Sequence, residues 1–302
     1  MGTAPTVLTE EAATDRSYTV VVAVANPNHV DQLMRTAIDV ATARDGRIRV
    51  VSVAHKHASS PFRLFSDDRI KREFADDRRA VLDDAVAVGE SASVPVEQRL
   101  LVGSDVSEAL LSAVDAADAD ALLLGWQDQP RPADIVLGTT VDPVVRRAPC
   151  TVYVERIGTT ADSVEQILLP ADGGPHMGPA VELAEAIARA NDATVTVRSY
   201  VSPDDDPDDA RDHVQAVTTR LQDVTVDADV KTVDDAADAI VADGATRDVV
   251  VLGATRERQF RNRVVGSVAA SVGQRITVPL VIAKRPTGDS LVDRVRALWP
   301  RI

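Results

Sequence analysis

Apolar residues along this chain form short continuous runs, separated by longer stretches in which apolar positions recur at helical spacing. The run from Tyr18 to Val24 is β-branched and unbroken, which is typical of a strand buried on both faces of a parallel sheet. A helical stretch from about Val30 to Ala43 follows and ends at Asp45 and Gly46. The pattern then predicts strands at Ile48 to Ala54 and Val96 to Val102, a long helix from about Arg69 to Val88, a helix capped within Ser104 to Glu108, and a fourth strand leading into Gly125.

The second half of the chain follows the same plan. Its predicted strands are Ile167 to Ala171, Ala193 to Val201, Val224 to Val230 and Asp248 to Leu252, and its predicted helices are Pro179 to Ala190, Asp206 to Leu221 and Asp234 to Ala242. Alternation of strands and helices predicts a doubly wound parallel sheet in each half. Ile157 to Ser163 is a short polar linker between the halves.

A glycine-bracketed loop is repeated at equal spacing in the two halves. Gly125 ends an apolar run and Gly138 closes the loop, and Gly253 and Gly266 each lie 128 residues further along. Duplication explains this match better than chance. We therefore expect a polar tail at residues 1–16, domains at 17–157 and 164–286, and a C-terminal amphipathic helix at 287–302 with an apolar stripe packed on its own domain or on a partner.

The composition narrows the classes of partner. A net charge of −14, from 33 Lys and Arg against 47 Asp and Glu, argues against nucleic acid, because phosphate binding needs a basic footprint. Asp outnumbers Glu and there are only four Lys, a pattern typical of a high-salt cytoplasm; an ordinary acidic protein is the alternative. The single Cys150 excludes a disulfide within the chain, and no signal-like or membrane-spanning run is seen, so a cytoplasmic protein is expected.

The candidate chemistry lies at the repeated loop. A glycine after a strand lets backbone N–H groups approach a phosphate, and Gly266 with Ser267 at a helix start would add an N–H, a hydroxyl and the positive end of the helix dipole. These parts predict a site for a nucleotide phosphate chain at Gly253, Gly266 and Ser267. A flexible loop with an ordinary helix cap is the alternative, and the loop is not a Walker A motif.

These motifs resemble the universal stress protein family, whose nucleotide-binding members carry G-x2-G-x9-G-S/T after the fourth strand and an Asp at the end of the first. The second half matches with Asp172, Gly253, Gly266 and Ser267, and has Arg256 where the motif has its second glycine. The resemblance implies a strand order of 3-2-1-4-5, pairing through the fifth strands at Thr151 to Val154 and Val281 to Ala283, and an adenine nucleotide such as ATP, alone or with Mg²⁺. The predicted site residues are Pro170, Ala171, Asp172, Tyr200, Leu252, Gly253, Thr255, Arg256, Gly266, Ser267 and Val268.

The first half matches the motif less well. Ala25 stands where the family has its Asp, and Asp128 would place a carboxylate against a polyphosphate. Arg256 instead offers a charged donor that can pair with phosphate oxygens. We therefore interpret the first half as a structural copy that has lost the site.

Other candidate residues carry weaker signals. Arg256, Arg258, Arg261 and Arg263 form a basic cluster that fits a phosphate clamp, a docking surface or a solvated loop. His55 and His57 lack further ligands for a metal site, His176 follows a helix-start signal, and Trp126 and Tyr200 are possible adenine neighbours, with core packing favoured for Trp126. No catalytic signature is found.

The sequence thus predicts a nucleotide-dependent regulator with little or no catalysis, at most a weak ATPase. The alternative, which the resemblance also implies, is an interaction module that binds no nucleotide and docks on a membrane transporter or another protein. A homodimer is a further possibility.

Overall fold

The computed structural model of the chain describes residues 17–56, 65–73, 75–127, 137–254 and 266–286. The predicted N-terminal tail and C-terminal helix, the site residues Thr255 and Arg256, and Asp128 and His57 lie outside the described residues. The predicted domain limits remain predictions.

Ten strands of the described chain form one continuous sheet. Their bounds are β1 Thr19–Ala23, β2 Arg47–His55, β3 Val96–Gly103, β4 Ala121–Trp126, β5 Thr151–Arg156, β6 Gln166–Pro170, β7 Thr194–Val201, β8 Thr225–Thr232, β9 Val249–Gly253 and β10 Leu280–Lys284. Their spatial order is β3-β2-β1-β4-β5-β10-β9-β6-β7-β8, which is 3-2-1-4-5 in each half, as predicted.

The two halves join through their fifth strands. All pairs within a half are parallel, whereas β5 and β10 pair antiparallel, with Val154 opposite Ile282 and Tyr153 opposite Ala283. This confirms the expected intrachain pairing, and it makes two five-stranded sheets into one ten-stranded sheet.

Helices cover both faces of the sheet. Their bounds are α1 Val30–Thr42, α2 Asp67–Glu73, α3 Asp76–Ser91, α4 Val106–Ala117, α5 Val141–Arg147, α6 Met177–Asn191, α7 Pro207–Thr218, α8 Ala236–Gly244 and α9 Ser267–Arg275. One apolar layer contains α1, α3, α6 and α7, and the other contains α4, α5, α8 and α9. Alternate residues of β1 enter opposite layers, Val20 and Val22 on one face and Val21 on the other, which explains its unbroken apolar run.

The single long helix predicted from Arg69 to Val88 is wrong. The structure has two helices, α2 and α3, because Ala75 leaves the helical conformation with φ −125° and ψ 24° and is itself buried. Helical periodicity continues through both pieces, so it did not reveal the break. No helix among the described residues is both long enough and apolar enough to cross a membrane.

Candidate functional site

The second half opens a crevice at the carboxyl ends of its central strands, where the winding of the sheet reverses. Strands β6 and β9 pair at only two positions, Ile167 with Val249 and Leu168 with Val250. The corresponding strands of the first half, β1 and β4, pair at four positions and stay together to Ala23 and Leu124. Ligands of doubly wound sheets bind at such a reversal point, and here the second half opens earlier.

A pocket of about 120 Å³ occupies this crevice. Seven of the predicted site residues line it: Pro170, Ala171, Asp172, Tyr200, Leu252, Gly253 and Val268. The structure adds three residues that the sequence analysis missed, Ala236 and Ile240 of α8 and Ala269 of α9. Both helices pack on the same face of the sheet. The apolar pattern of α8 was the one sequence signal that could have indicated its two residues.

The loop after β6 presents Asp172 at the rim of the pocket. Asp172 is exposed, and its Oδ1 accepts a hydrogen bond from the Gly174 N–H at 2.8 Å. Gly173 has φ +65°, and a Cβ added there would lie 2.2 Å from Nε2 of His213. A side chain at position 173 would thus be strained and would collide with the imidazole, so the loop needs glycine to hold Asp172 in place.

The second rim of the pocket is the start of α9. Gly266 is the N-cap residue and Ser267 the first residue of the helix, as the sequence predicted. Gly266 has no side chain to cap this helix, and among the described residues the first turn contains no acidic residue. Its first N–H groups therefore lack intrahelical partners, and they give this rim positive potential that suits an anion.

Tyr200 is held in the pocket wall by a charged cluster on β7, β8 and α8. Its hydroxyl donates to Asp243 Oδ2 at 2.9 Å, and Asp243 also pairs with Arg198 at 2.8 Å and with Lys231 at 2.9 Å. Arg198 makes a second, two-point pair with Asp229 at 2.5 and 2.7 Å. These contacts fix the orientation of the phenol ring next to the pocket.

The same contacts shift the pKa values of this cluster. Burial raises the pKa of the Tyr200 hydroxyl above its usual range, and its hydrogen bond to Asp243 raises it further. Burial alone would raise the pKa of Asp243, but the hydrogen bonds from its three donors outweigh burial and lower it. Both groups therefore keep one protonation state around neutral pH, and Tyr200 stays a neutral hydrogen-bond donor to Asp243.

The first half has apolar residues at the equivalent positions. By strand register Ala25 stands in the place of Asp172 and Val53 in the place of Tyr200. A Cβ at Gly125 would lie 2.8 Å from Ile157, so this glycine packs against the linker. The two halves thus differ in the residues that would face a ligand, although their strands match.

The closing loop of the first half also differs in its backbone and charge. Gly138 has φ +120°, whereas its counterpart Gly266 has φ −63°. Asp142, in the first turn of α5, is buried and accepts the Leu137 N–H at 3.0 Å. A carboxylate of the protein therefore lies in the first turn of α5, whereas the described first turn of α9 contains no acidic residue.

The remaining candidates have structural contacts. His176 is buried, and its Nδ1 accepts the Arg285 N–H at 3.1 Å. Trp126 is buried in the core next to Gly273, which confirms core packing over a place beside adenine. His55 lies 2.9 Å from the Ser104 carbonyl, and the described part of the chain holds no cluster of three metal-ligating side chains.

Comparisons with known proteins place the fold in context. A family model described as the universal stress protein family matches residues 18–156 and 163–284. A structure of a universal stress protein from Archaeoglobus fulgidus DSM 4304 covers 89% of this chain and 97% of its own, with a TM-score of 0.64 and 18% identity. The cytoplasmic domain of a prokaryotic cation chloride cotransporter covers 93% and 100%, with a TM-score of 0.54 and 10% identity. At these identities the two likenesses show the fold.

One curated relative is a much longer protein. The Na(+)/H(+) antiporter NhaS5 of Synechocystis sp. is 25% identical to this chain over 280 residues. The match covers 89% of this chain and 39% of the antiporter, so this chain spans well under half the length of that relative.

Proposed function

Because this chain belongs to the universal stress protein family, we propose that its second half binds an adenine nucleotide, ATP or a related one, and that the protein is a cytoplasmic regulator with little or no catalysis. The first half is a structural copy that completes the ten-stranded sheet. One site per chain follows from this proposal.

The observation that carries the proposal is the pocket between β6 and β9. Residues predicted from separate parts of the sequence, at the ends of β6, β7 and β9 and at the start of α9, line one pocket there. Its volume of about 120 Å³ is below the roughly 300–1,000 Å³ typical of sites that enclose a whole small molecule. We therefore assign to it one end of the nucleotide, the planar base, with the remainder lying along the rim.

Each group at the site has a role in this arrangement. The apolar wall of Ile240, Leu252 and Val268 and the ring of Tyr200 would pack against the base. Asp172 would accept hydrogen bonds from the ribose hydroxyl groups, as the family resemblance implies. The first N–H groups of α9 and the Ser267 hydroxyl would face the phosphates, and any Mg²⁺ would be held mainly by phosphate oxygens.

Nucleotide content of the purified chain tests the proposal. The protein is denatured after purification at high salt and the released small molecules are separated by chromatography. We expect an adenine nucleotide at up to one per chain, and calorimetric titration of the emptied protein should give one site. Failure to find bound nucleotide, together with no heat on titration with ATP, ADP, AMP or cAMP, would contradict it.

A second candidate function has an observation of its own. The match to part of a longer antiporter favours a module that docks on a membrane transporter and binds no nucleotide. The two functions differ in the pocket: a docking module tolerates Asp172→Ala and Ser267→Ala without loss of partner binding. In a nucleotide-dependent regulator the same substitutions weaken nucleotide binding and reduce the activity that depends on it.

A further inference from the structure

A buried carboxylate lies at the seam where the two halves join. Glu155 of β5 lies opposite Val281 of β10, and Glu155 is only 4% exposed. Its Oε1 accepts a hydrogen bond from Gln32 Nε2 at 2.9 Å. Gln32 is itself fixed, since it also donates to the Arg156 carbonyl at 2.8 Å and accepts the Gly158 N–H at 3.2 Å.

The other oxygen of Glu155, Oε2, is buried and accepts no hydrogen bond of normal geometry from any residue that the structure describes. Burial raises the pKa of Glu155 to about 7, although Thr36 and Gln32 oppose the shift. A buried ionised carboxylate is costly unless it is paired. Above neutral pH this oxygen therefore requires a positive partner, and the described part of the chain supplies none at hydrogen-bond distance.

Glu155 lines a cavity of about 40 Å³. A water molecule needs roughly 10–15 Å³ of such volume, so the cavity has room for one to a few water molecules or an ion of similar size. Helices α1 and α6, strands β5, β9 and β10 and the linker line the cavity, and its oxygen-bearing side chains on α1 and β5 are Gln32, Thr36, Asp39 and Glu155.

Among the described residues that line the cavity, the charged ones lie on α1 and β5. Asp39 is a second carboxylate whose pKa burial raises to about 7, with Asn191 of α6 at 3.5 Å from its Oδ2. Arg35 is exposed at the rim and donates to the Ala161 carbonyl at 2.6 Å. The lining residues from the linker, α6, β9 and β10 are uncharged.

We propose that this seam cavity binds one small monovalent inorganic cation, of the size of Na⁺ or K⁺, through oxygens of Glu155, Asp39 and Thr36. Carboxylate, hydroxyl and amide oxygens are the ligands that hard cations take. A monovalent ion fits better than Mg²⁺, because Mg²⁺ retains several waters for which the cavity lacks room. The positive Arg35 guanidinium at the rim also disfavours a divalent ion relative to a monovalent one.

Cation binding would stabilise the junction of the two halves. The carboxylates come from the first half, on α1 and β5, whereas Ile187, Val249 and Val281 of the second half form the facing wall. The ion competes with protons for the same oxygens, so its affinity rises with pH. The site is separate from the nucleotide pocket and does not depend on the proposed function.

Thermal melts of the full chain test this site at fixed ionic strength. The salt is NaCl, KCl or choline chloride at about 0.5 M, where surface charges are equally screened. At about pH 8, well above the shifted pKa values, we expect the midpoint in NaCl or KCl to exceed that in choline chloride by several degrees. At about pH 5 this difference should vanish.

Variants assign the ion effect to the cavity. Glu155→Gln should abolish the difference between the metal ions and choline, and Thr36→Val should reduce it. Glu90→Gln, the same change at an exposed position on α3, should leave it intact. If Glu155→Gln does not fold, Asp39→Asn takes its place, and ²³Na line broadening by the parent protein at about pH 8 gives an independent measure. Equal midpoints in all three salts, or an ion effect that survives Glu155→Gln and Asp39→Asn, would overturn the proposal.

Discussion

Asp172 illustrates how one side chain serves both the loop and the proposed ligand. Its Oδ1 accepts a hydrogen bond from the Gly174 N–H, so an acceptor at this position shapes the loop. In the proposed complex the same carboxylate accepts hydrogen bonds from the ribose hydroxyl groups. Sequence reasoning pointed to Asp172, Gly253 and Ser267 because their spacing follows a known motif, and of these Asp172 and Gly253 line the pocket. It missed Ile240, because the apolar face of α8 indicates that this residue is buried, but only tertiary packing decides that it borders the crevice.

The two roles of Asp172 separate on substitution. Asp172→Ala should weaken adenine nucleotide binding by about 1.5–3 kcal/mol, the scale of hydrogen bonds to a charged group, which is roughly 10–100-fold in affinity. Asp172→Asn keeps the acceptor for Gly174 and should bind between the two. Calorimetric titration of the full chain measures this, with Asp84→Asn on the exposed face of α3 as the control. Parent-like affinity of Asp172→Ala would remove Asp172 from the site.

Arg256 lies outside the described residues, and its role rests on sequence. If it pairs with phosphate oxygens, Arg256→Ala should lose about 1.5–3 kcal/mol of ATP binding but less of adenosine binding, since adenosine has no phosphate. Arg99→Ala on the exposed edge strand β3 is the control. Should ATP and adenosine be affected equally, the arginine does not act as a phosphate clamp.

At the scale of elements, continuous apolar runs predicted the inner strands well because both faces of the sheet are covered there, whereas the edge strands β3 and β8 are more polar and more exposed. The break at Ala75 and the early divergence of β6 from β9 could not be predicted from periodicity, since both depend on how neighbouring elements pack. The junction of β5 and β10 was expected only through the family resemblance, and its antiparallel direction comes from the structure.

Two helical glycines provide a matched test of packing between the halves. A Cβ at Gly273 of α9 would lie 2.7 Å from the buried ring of Trp126 in the first half. Gly273→Ala should therefore destabilise the chain by about 1–3 kcal/mol, as overpacked cores do. Gly178→Ala on α6 meets only the Arg220 guanidinium at 3.5 Å and should be neutral or slightly stabilising. Urea unfolding gives the free energy of unfolding of the two variants. Equal values would show that the Trp126 ring moves aside without a measurable cost.

At the scale of the whole molecule, the net charge of −14 means that repulsion between negative charges lowers the stability of the folded state. Salt screens exposed charges within about 3 Å at 1 M, compared with about 10 Å at 0.1 M, and salting-out ions strengthen apolar burial. We expect the melting temperature to rise between about 0.1 M and 3 M KCl. A flat or falling curve would identify an ordinary acidic protein.

The seam carboxylates give the molecule a specific pH dependence. The pKa values of Glu155 and Asp39 are raised to about 7 in the fold, so the folded state binds more protons than the unfolded state between about pH 4 and pH 7. Their contribution to stability is thus fully present below about pH 4 and is lost as the pH rises to 7, by roughly 3 kcal/mol for Glu155. Urea unfolding in choline buffers measures it, and Glu155→Gln should flatten the curve. A parent curve that rises across this window, with no change in Glu155→Gln, would contradict the assignment.

The central claim is that the second half alone holds the nucleotide. Photolabelling of the full chain with an azido-adenine nucleotide, followed by peptide mapping, tests it directly. The account predicts label on the peptides around Tyr200 and Ala236 to Ile240, lost when excess ATP is added, and none on the first-half peptide around Val53. ATP-protected label on the Val53 peptide, or label in the second half that ATP does not displace, would contradict it.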